Sequence, residues 1–319
     1  MPVIQSGNRI LLQIGPHTYW YDERAHILGR GAMGIVYLGH EFGHSKLFAI
    51  KRVKDELSNR PAIRERARLE ASLMFNHPNL VEMYGCCEVT PDAGPIFIIS
   101  GFIQGENIDS FIAKNVKELP HSEQRICNMF LSVLDALTYI HSKDILHLDI
   151  KPSNIMVERG RNVRLMDLGI ADVSMSHREV QGEMMGTPKY AAPEQFGGST
   201  VGAKLTRATD IYQAGVTLYE LLTGQNPFIS KNVGEAKQLH ETIVLKKTGN
   251  ISARVFAVVK KAASINPADR YQSAAEMKTA LRIALSEPSP TPVWSRIAVL
   301  LIVGVVITAV IVALTFINQ

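Results

Sequence analysis

The sequence predicts an α+β fold, with a small strand-rich part, a larger helical part and one apolar helix at the C-terminal end. Residues 27–103 contain short runs typical of strands and one helical segment. Further along, apolar residues fall at helical spacing, as at Phe130, Leu134 and Leu137. The run 297–317, IAVLLIVGVVITAVIVALTFI, carries no charge. At about 1.5 Å per residue, it is long enough to cross the ~30 Å hydrocarbon core of a bilayer.

Residues 1–26 precede the main domain, which we place at 27–285. Apolar residues alternate at Ile10, Leu12 and Ile14. This alternation predicts one or two strands that lead into the main domain, and it indicates no function of their own.

The composition excludes several classes of function. The chain has 319 residues and a formal net charge of only +4, which argues against a nucleic-acid partner. Its three cysteines, Cys86, Cys87 and Cys127, lack the spacing of a metal site or a disulfide framework. We therefore expect reduced thiols.

The C-terminal segment predicts a membrane anchor. Prolines alternate with other residues in the linker 286–296, which favours a short, stiff spacer. Trp294 and Arg296 then stand directly before the apolar run 297–317, as an interfacial aromatic and a basic flank would. We expect a single-pass, tail-anchored membrane protein whose N-terminal main domain lies in the cytoplasm.

The most specific motif is the run His147–Asn154, HLDIKPSN. Asp149 can accept a proton from a substrate hydroxyl, and Lys151 can neutralise charge on a transferred phosphoryl group. Asn154 can offer its amide oxygen to Mg²⁺. Asp167 follows in the order Asp-Leu-Gly, and its carboxylate suits the same hard cation.

A glycine-rich turn lies upstream, at 28–36, with the pattern G-x-G-x-x-G-x-V. Glycines let the backbone close over phosphates, because no Cβ stands in the way. A strand, 35–38, follows instead of a helix, which disfavours a dinucleotide fingerprint. Lys51 ends the next strand, after Ala49 and Ile50, where its ammonium group could meet phosphates.

Together these motifs resemble the eukaryotic-like Ser/Thr protein kinase family, and within it the bacterial membrane-anchored branch. The resemblance covers about residues 28–285. It implies a two-lobed protein kinase fold, with a β-rich N-lobe to about residue 103 and a helical C-lobe after about residue 106. It also implies ATP with Mg²⁺ or Mn²⁺, protein substrates with Ser or Thr hydroxyls, self-association and autophosphorylation.

The resemblance assigns roles residue by residue. The catalytic residues it implies are Asp149, Lys151, Lys51 and Thr187, and the metal ligands are Asn154 and Asp167. The nucleotide-binding residues it implies are Leu28, Gly29, Gly31, Gly34, Val36, Ala49, Lys51, Glu70, Ile103 and Met156. Ser100 would guard the back of the adenine pocket.

Two carboxylates of the following helix are candidates for the ion-pair partner of Lys51. The family's usual spacing before His77 falls on Arg68, so the choice rests on the local sequence. Glu70 followed by Ala71 matches the family best, with Glu65 as the alternative.

Three further charged residues have structural roles by resemblance. Glu194, in the segment that follows Gly186-Thr187-Pro188, would form a buried ion pair with Arg270. Asp210 would brace the backbone of the catalytic loop. Buried charges of this kind need partners.

Two departures from the family pattern leave a second function possible. Leu148 stands where the family has an arginine that pairs with a phosphate on the activation segment, and Leu168 replaces the usual phenylalanine. We expect Leu148 to make activity less dependent on that phosphate. The alternative is a pseudokinase that acts as an ATP-binding signalling scaffold.

Overall fold

The computed structural model describes residues 3–31, 33–118, 122–167, 187–197, 204–248 and 251–286. The strands are β1 (Val3–Ser6), β2 (Arg9–Ile14), β3 (His17–Asp22), β4 (Ile27–Arg30), β5 (Gly34–Glu41), β6 (Leu47–Val53), β7 (Met83–Glu88), β8 (Ile96–Gly101), β9 (Gly105–Asn107), β10 (Ile155–Glu158) and β11 (Asn162–Leu165). The helices are α1 (Asp55–Ser58), α2 (Pro61–Ser72), α3 (Ile108–Asn115), α4 (Ser122–His141), α5 (Arg207–Thr223), α6 (Val233–Thr242), α7 (Ala253–Ala262) and α8 (Ala274–Ser286).

The two-lobed α+β architecture is confirmed. The N-lobe is an antiparallel sheet in the order β1-β2-β3-β5-β6-β8-β7, with β4 also paired to β5. A small sheet, β11-β10-β9, leads into the helical C-lobe. The predicted single helix of the N-lobe is instead two, because the short α1 precedes α2, which begins at Pro61. Proline suits a first helical turn because that turn needs no N–H donor.

The N-terminal segment forms three strands, where the sequence predicted one or two. Its last strand, β3, pairs with β5 through Trp20 and His40, so the segment extends the N-lobe sheet. Tyr19 and Tyr21 are buried and pack in the same apolar cluster as Tyr37. The segment is therefore part of the N-lobe core, since removing it would expose Tyr37, which packs against Tyr21, to water.

Helices α4 and α5 form the centre of the C-lobe core. Their buried side chains pack with those of α7 and α8 in one large apolar cluster. Helix α5 has clear start and stop signals: the Thr206 hydroxyl accepts a hydrogen bond from the Ala208 N–H, and Gly224 ends the helix at φ 73°. This helix passes directly beneath the His147–Asn154 loop.

The C-terminal predictions fall outside the described residues. Helix α8 ends at Ser286, and the rest of the linker 286–296 and the apolar run 297–317 lie beyond it. Within the part of the chain that the structure describes, no helix is both long and apolar enough to cross a membrane. The three cysteines are free thiols.

Candidate functional site

A cavity of about 620 Å³ lies between the N-lobe sheet and the β9–β11 sheet, within the size range of small-molecule sites. All the predicted nucleotide-binding residues, Lys51 among them, line it, as do four further residues predicted for catalysis or metal binding. These lining residues are Leu28, Gly29, Gly31, Gly34, Val36, Ala49, Lys51, Glu70, Ile103, Met156, Asp149, Lys151, Asn154 and Asp167.

The β4–β5 hairpin places the glycine-rich turn over one side of the cavity. The Gly31 N–H donates to the Gly34 carbonyl at 2.9 Å, which closes the turn. A Cβ at Gly34 would lie 2.1 Å from the Arg52 carbonyl oxygen on β6. Only glycine therefore fits where β5 approaches β6 this closely.

Lys51 crosses the cavity toward the second lobe. It lies on β6 and donates to Asp167 Oδ1 at 3.1 Å. The nearby Lys51 charge lowers the pKa of Asp167 despite the desolvation that opposes it, so this carboxyl is ionised at neutral pH. Glu70, on α2, is buried and lines the cavity with Lys51, whereas Glu65 is exposed.

Strand β8 forms the back of the cavity. Ser100 pairs with Ala49 across the β6–β8 ladder, and Ser100 and Ile103 both line the cavity. Met156 reaches the cavity from β10 in the other lobe. Apolar side chains from both lobes therefore enclose a slot that suits a flat aromatic ring.

The catalytic-loop residues form a compact hydrogen-bonded group. Lys151 Nζ donates to Asp149 Oδ2 at 2.7 Å and to Thr187 Oγ1 at 2.6 Å. The Thr187 hydroxyl donates to Asp149 Oδ1 at 2.8 Å, and Asn154 Nδ2 donates to Asp149 Oδ2 at 3.0 Å. The structure thus brings Thr187 to the loop from 36 residues away in the chain.

The electrostatics of this group keep Asp149 charged. Burial raises the pKa of the Asp149 carboxyl, but the Lys151 charge and the hydrogen bonds from Lys151 and Thr187 outweigh it, so the pKa lies below its usual value. Burial lowers the pKa of His147, which keeps that imidazole neutral. The neutral ring accepts from the Asp149 N–H at 3.3 Å and donates to the Met166 carbonyl at 3.1 Å.

Asn154 and Asp167 offer a donor set that fits Mg²⁺. The Asn154 amide nitrogen is turned to Asp149, which leaves its amide oxygen for a cation. Asp167 contributes a carboxylate from a left-handed backbone conformation, φ 47°. Among the described residues, no group of three or more His, Cys, Asp or Glu forms a metal cage. Mg²⁺ needs none, because it keeps waters and takes substrate phosphates as ligands.

The predicted supports of the loop have the expected contacts. Asp210 accepts from the backbone N–H groups of His147 and Leu148, each at 2.8 Å. Glu194 and Arg270 form a fully buried bidentate pair at 2.7 and 2.9 Å. Leu148 packs in a small apolar cluster with Leu146 and Leu205.

The sequence reasoning missed three buried polar residues beside the loop: Gln195, Gln213 and Thr217. Gln213 and Thr217 follow Asp210 at i+3 and i+7 in helix α5. That spacing was the signal in the sequence, because it places Asp210, Gln213 and Thr217 on one face of the helix. Gln195 had no such signal.

Comparison with known proteins gives a consistent result. The family model described as "Protein kinase domain" matches residues 23–281. Serine/threonine-protein kinase PknB of Mycobacterium leprae is 32% identical over 287 residues, or 87% of this chain and 45% of that protein. PknB of Mycobacterium tuberculosis is 33% identical, over 85% of this chain and 44% of that protein. PknD of Chlamydia trachomatis is 29% identical, over 82% and 31% respectively. The chain thus spans less than half the length of these relatives.

Proposed function

Because the chain belongs to the protein kinase family, we propose that it transfers the γ-phosphoryl group of ATP to serine and threonine hydroxyls of protein substrates. The observation that carries the proposal is the hydrogen-bonded group of Asp149, Lys151 and Thr187, beside the cavity that Lys51 and Asp167 line. The relatives named as Ser/Thr-protein kinases support the same activity.

Asp149 would act on the substrate hydroxyl. Its lowered pKa keeps the carboxylate ionised at neutral pH, so it can accept the hydroxyl hydrogen bond. It would take the proton as the hydroxyl oxygen bonds to the γ-phosphorus and the bond from that phosphorus to the β,γ-bridging oxygen breaks, which releases ADP. Lys151 would offset negative charge on the transferred group. Proximity and charge neutralisation account for most of the expected catalysis, because no covalent enzyme intermediate is needed.

The cavity walls would hold the nucleotide. Leu28, Val36, Ala49, Ile103 and Met156 supply apolar surface for the adenine ring. The glycine turn and Lys51 would face the phosphates. Their backbone N–H groups and ammonium group complement negative charge.

Asn154 and Asp167 would hold the divalent cation, for which we propose Mg²⁺, with Mn²⁺ as a substitute. When bound, the cation supplies charge neutralisation to the phosphates. The residues' own contribution is to present one amide oxygen and one carboxylate toward the same cavity.

The preference for Ser and Thr over Tyr follows from Lys151 and Thr187. The lysine, at its position two residues after Asp149, resembles that of Ser/Thr kinases. Its ammonium group is held 2.6 Å from the Thr187 hydroxyl, the arrangement that the resemblance associates with Ser/Thr specificity.

We also propose that residues 297–317 anchor the protein in a membrane, with the kinase domain in the cytoplasm. The length and uncharged composition of this run support the proposal. Flotation of the full-length chain with liposomes, compared with a variant carrying lysines in the middle of the run, tests it. A variant that floats as well as the wild type would contradict it.

The activity is tested by phosphoryl transfer from ATP and Mg²⁺ to a generic basic acceptor protein. Lys51→Met and Asp149→Asn should each abolish transfer, whereas Asp149→Asn should still bind ATP, because the carboxylate acts on the hydroxyl. Asp144→Asn is the matched control, since Asp144 is 89% exposed and only five residues upstream. It should retain full activity.

Two results would count against the proposal. Turnover at the wild-type rate in Asp149→Asn would refute the role of that carboxylate. ATP binding by the wild type without transfer to any acceptor, in lipid as well as in detergent, would instead favour the scaffold function.

A further inference from the structure

Helix α5 carries a stripe of three polar side chains, Asp210, Gln213 and Thr217, each fully buried. Their spacing, i, i+3 and i+7, places them on one face of the helix. Buried polar groups need hydrogen-bond partners, and the stripe faces the catalytic loop instead of solvent.

The backbone of the catalytic loop satisfies the stripe. Asp210 accepts hydrogen bonds from two N–H groups of the loop, as described above. In addition, Gln213 Oε1 accepts from the Ile150 N–H at 2.9 Å, and Gln213 Nε2 donates to the Leu148 carbonyl at 2.9 Å. Thr217 Oγ1 donates to the Ile150 carbonyl at 3.0 Å. The Gln213 side chain is therefore hydrogen-bonded to the backbone on both sides of Asp149.

The conformation at Leu148 explains why the loop backbone needs these hydrogen bonds. Its φ is 61°, in the left-handed region that non-glycine residues avoid. A strained peptide relaxes unless its surroundings hold it. The carboxylate direction of Asp149 depends on this peptide, because Leu148 is its immediate neighbour.

A second glutamine extends the network to the segment that follows Thr187. Gln195 Oε1 accepts from Gln213 Nε2 at 2.7 Å and from the Ala192 N–H at 2.7 Å. Gln195 Nε2 also donates to the Leu148 carbonyl at 3.2 Å. The two glutamines thus connect the catalytic loop, helix α5 and residues 191–196 through buried hydrogen bonds.

We propose that Gln213 is a positioning residue for phosphoryl transfer. It fixes the orientation of the Asp149 carboxylate and, through Gln195, links that orientation to the position of residues 191–196. The inference rests on the proposed kinase function. Gln213 does not line the nucleotide cavity. Its loss should therefore slow transfer without weakening ATP binding.

The test compares variants of the full-length chain. Gln213→Met keeps the volume and removes all three side-chain hydrogen bonds, whereas Gln213→Glu keeps the shape and the acceptor but loses the donor to Leu148 and Gln195. Both should lower kcat about 10- to 100-fold, since small misplacements of reacting groups have effects of this size. The ATP Kd should stay within about twofold of the wild type, as expected for a group that does not line the nucleotide cavity.

Two controls separate positioning from loss of stability. Val259→Ala, on α7, removes a buried apolar side chain outside the network and should lower Tm with little change in kcat. Gln238→Met replaces an exposed glutamine on α6 and should change neither. If Gln213→Met does not fold, Gln213→Glu carries the test of the claim, and Thr217→Val, which removes only the hydroxyl bonded to Ile150, tests the neighbouring contact of the stripe.

Amide hydrogen exchange provides a readout without catalysis. The Ile150 N–H should exchange faster in unliganded Gln213→Met than in the wild type, and no faster in Val259→Ala. Unchanged exchange at Ile150, or a kcat loss no larger than that of Val259→Ala, would overturn the positioning role. Absence of transfer in the wild type would refute the kinase proposal instead, and the exchange result would still decide the claim about Gln213.

Discussion

Breaking the buried pair between Glu194 and Arg270 should strongly destabilise the C-lobe. Arg270 also donates to the carbonyls of Ser264 and Ile265 at 2.7 Å and of Ala208 at 3.0 Å. Arg270→Met would strand a buried carboxylate and remove the donor from all three carbonyls.

The magnitude follows from this geometry. Breaking a buried pair by removing one partner costs about 3–5 kcal/mol, and unpaired buried carbonyls add to it. We expect Arg270→Met to lower the free energy of unfolding by about 4 kcal/mol or more. At about 2–4 °C per kcal/mol for a chain of this size, Tm should fall by roughly 10 °C.

The assay is urea and thermal unfolding of the wild type, Arg270→Met and the double variant Glu194→Gln/Arg270→Met. The double variant should recover about 2 kcal/mol, because it removes the stranded charge. Arg207→Met is the control: Arg207 pairs with the 89% exposed Asp144, so its loss should cost less than about 1 kcal/mol. Arg270→Met within about 1 kcal/mol of the wild type would refute the reasoning, given the expected cost.

Three other predictions follow from particular residues. Burial holds the pKa of His240 at about 4, so the unfolded state binds more protons between about pH 6.5 and 4, and stability should fall by about 3 kcal/mol as the pH drops through that window. Urea unfolding at pH 7 and pH 4.5 should show a loss of stability that is smaller in His240→Gln than in the wild type; equal losses in the two proteins would contradict the prediction. The buried Arg64 guanidinium donates to several backbone carbonyls between residues 58 and 94, so Arg64→Met should cost about 3 kcal/mol. Arg68→Met, at a side chain 46% exposed, should cost under about 1 kcal/mol in the same urea titration, and equal losses would argue against the burial effect. Finally, Leu148 offers no positive charge to a phosphate on the activation segment, so phosphatase treatment should leave most of the kinase activity. A near-complete loss of that activity would contradict this prediction.

Local patterns predicted the elements of the fold and most of the site. The acid, lysine and amide of the catalytic loop lie within six residues, so their spacing alone brings them together. Helix and strand periodicity separated the two lobes, because burial on one face leaves a repeat in the sequence. The number of N-terminal strands was underestimated, since short strands with many exposed positions carry a weak repeat.

What the sequence by itself determined is the chemistry: the residues around Asp149, the glycine turn and Lys51 are local motifs whose side chains and spacing suit ATP phosphoryl transfer. What only the tertiary structure decided is what holds that chemistry in place. The hydrogen bonds of Gln213 to Leu148 and Ile150 join residues more than 60 positions apart. A glutamine in a buried helix implies that a partner exists, because its polar groups cannot stay unpaired. It does not show which peptide the folded chain will bring within 3 Å.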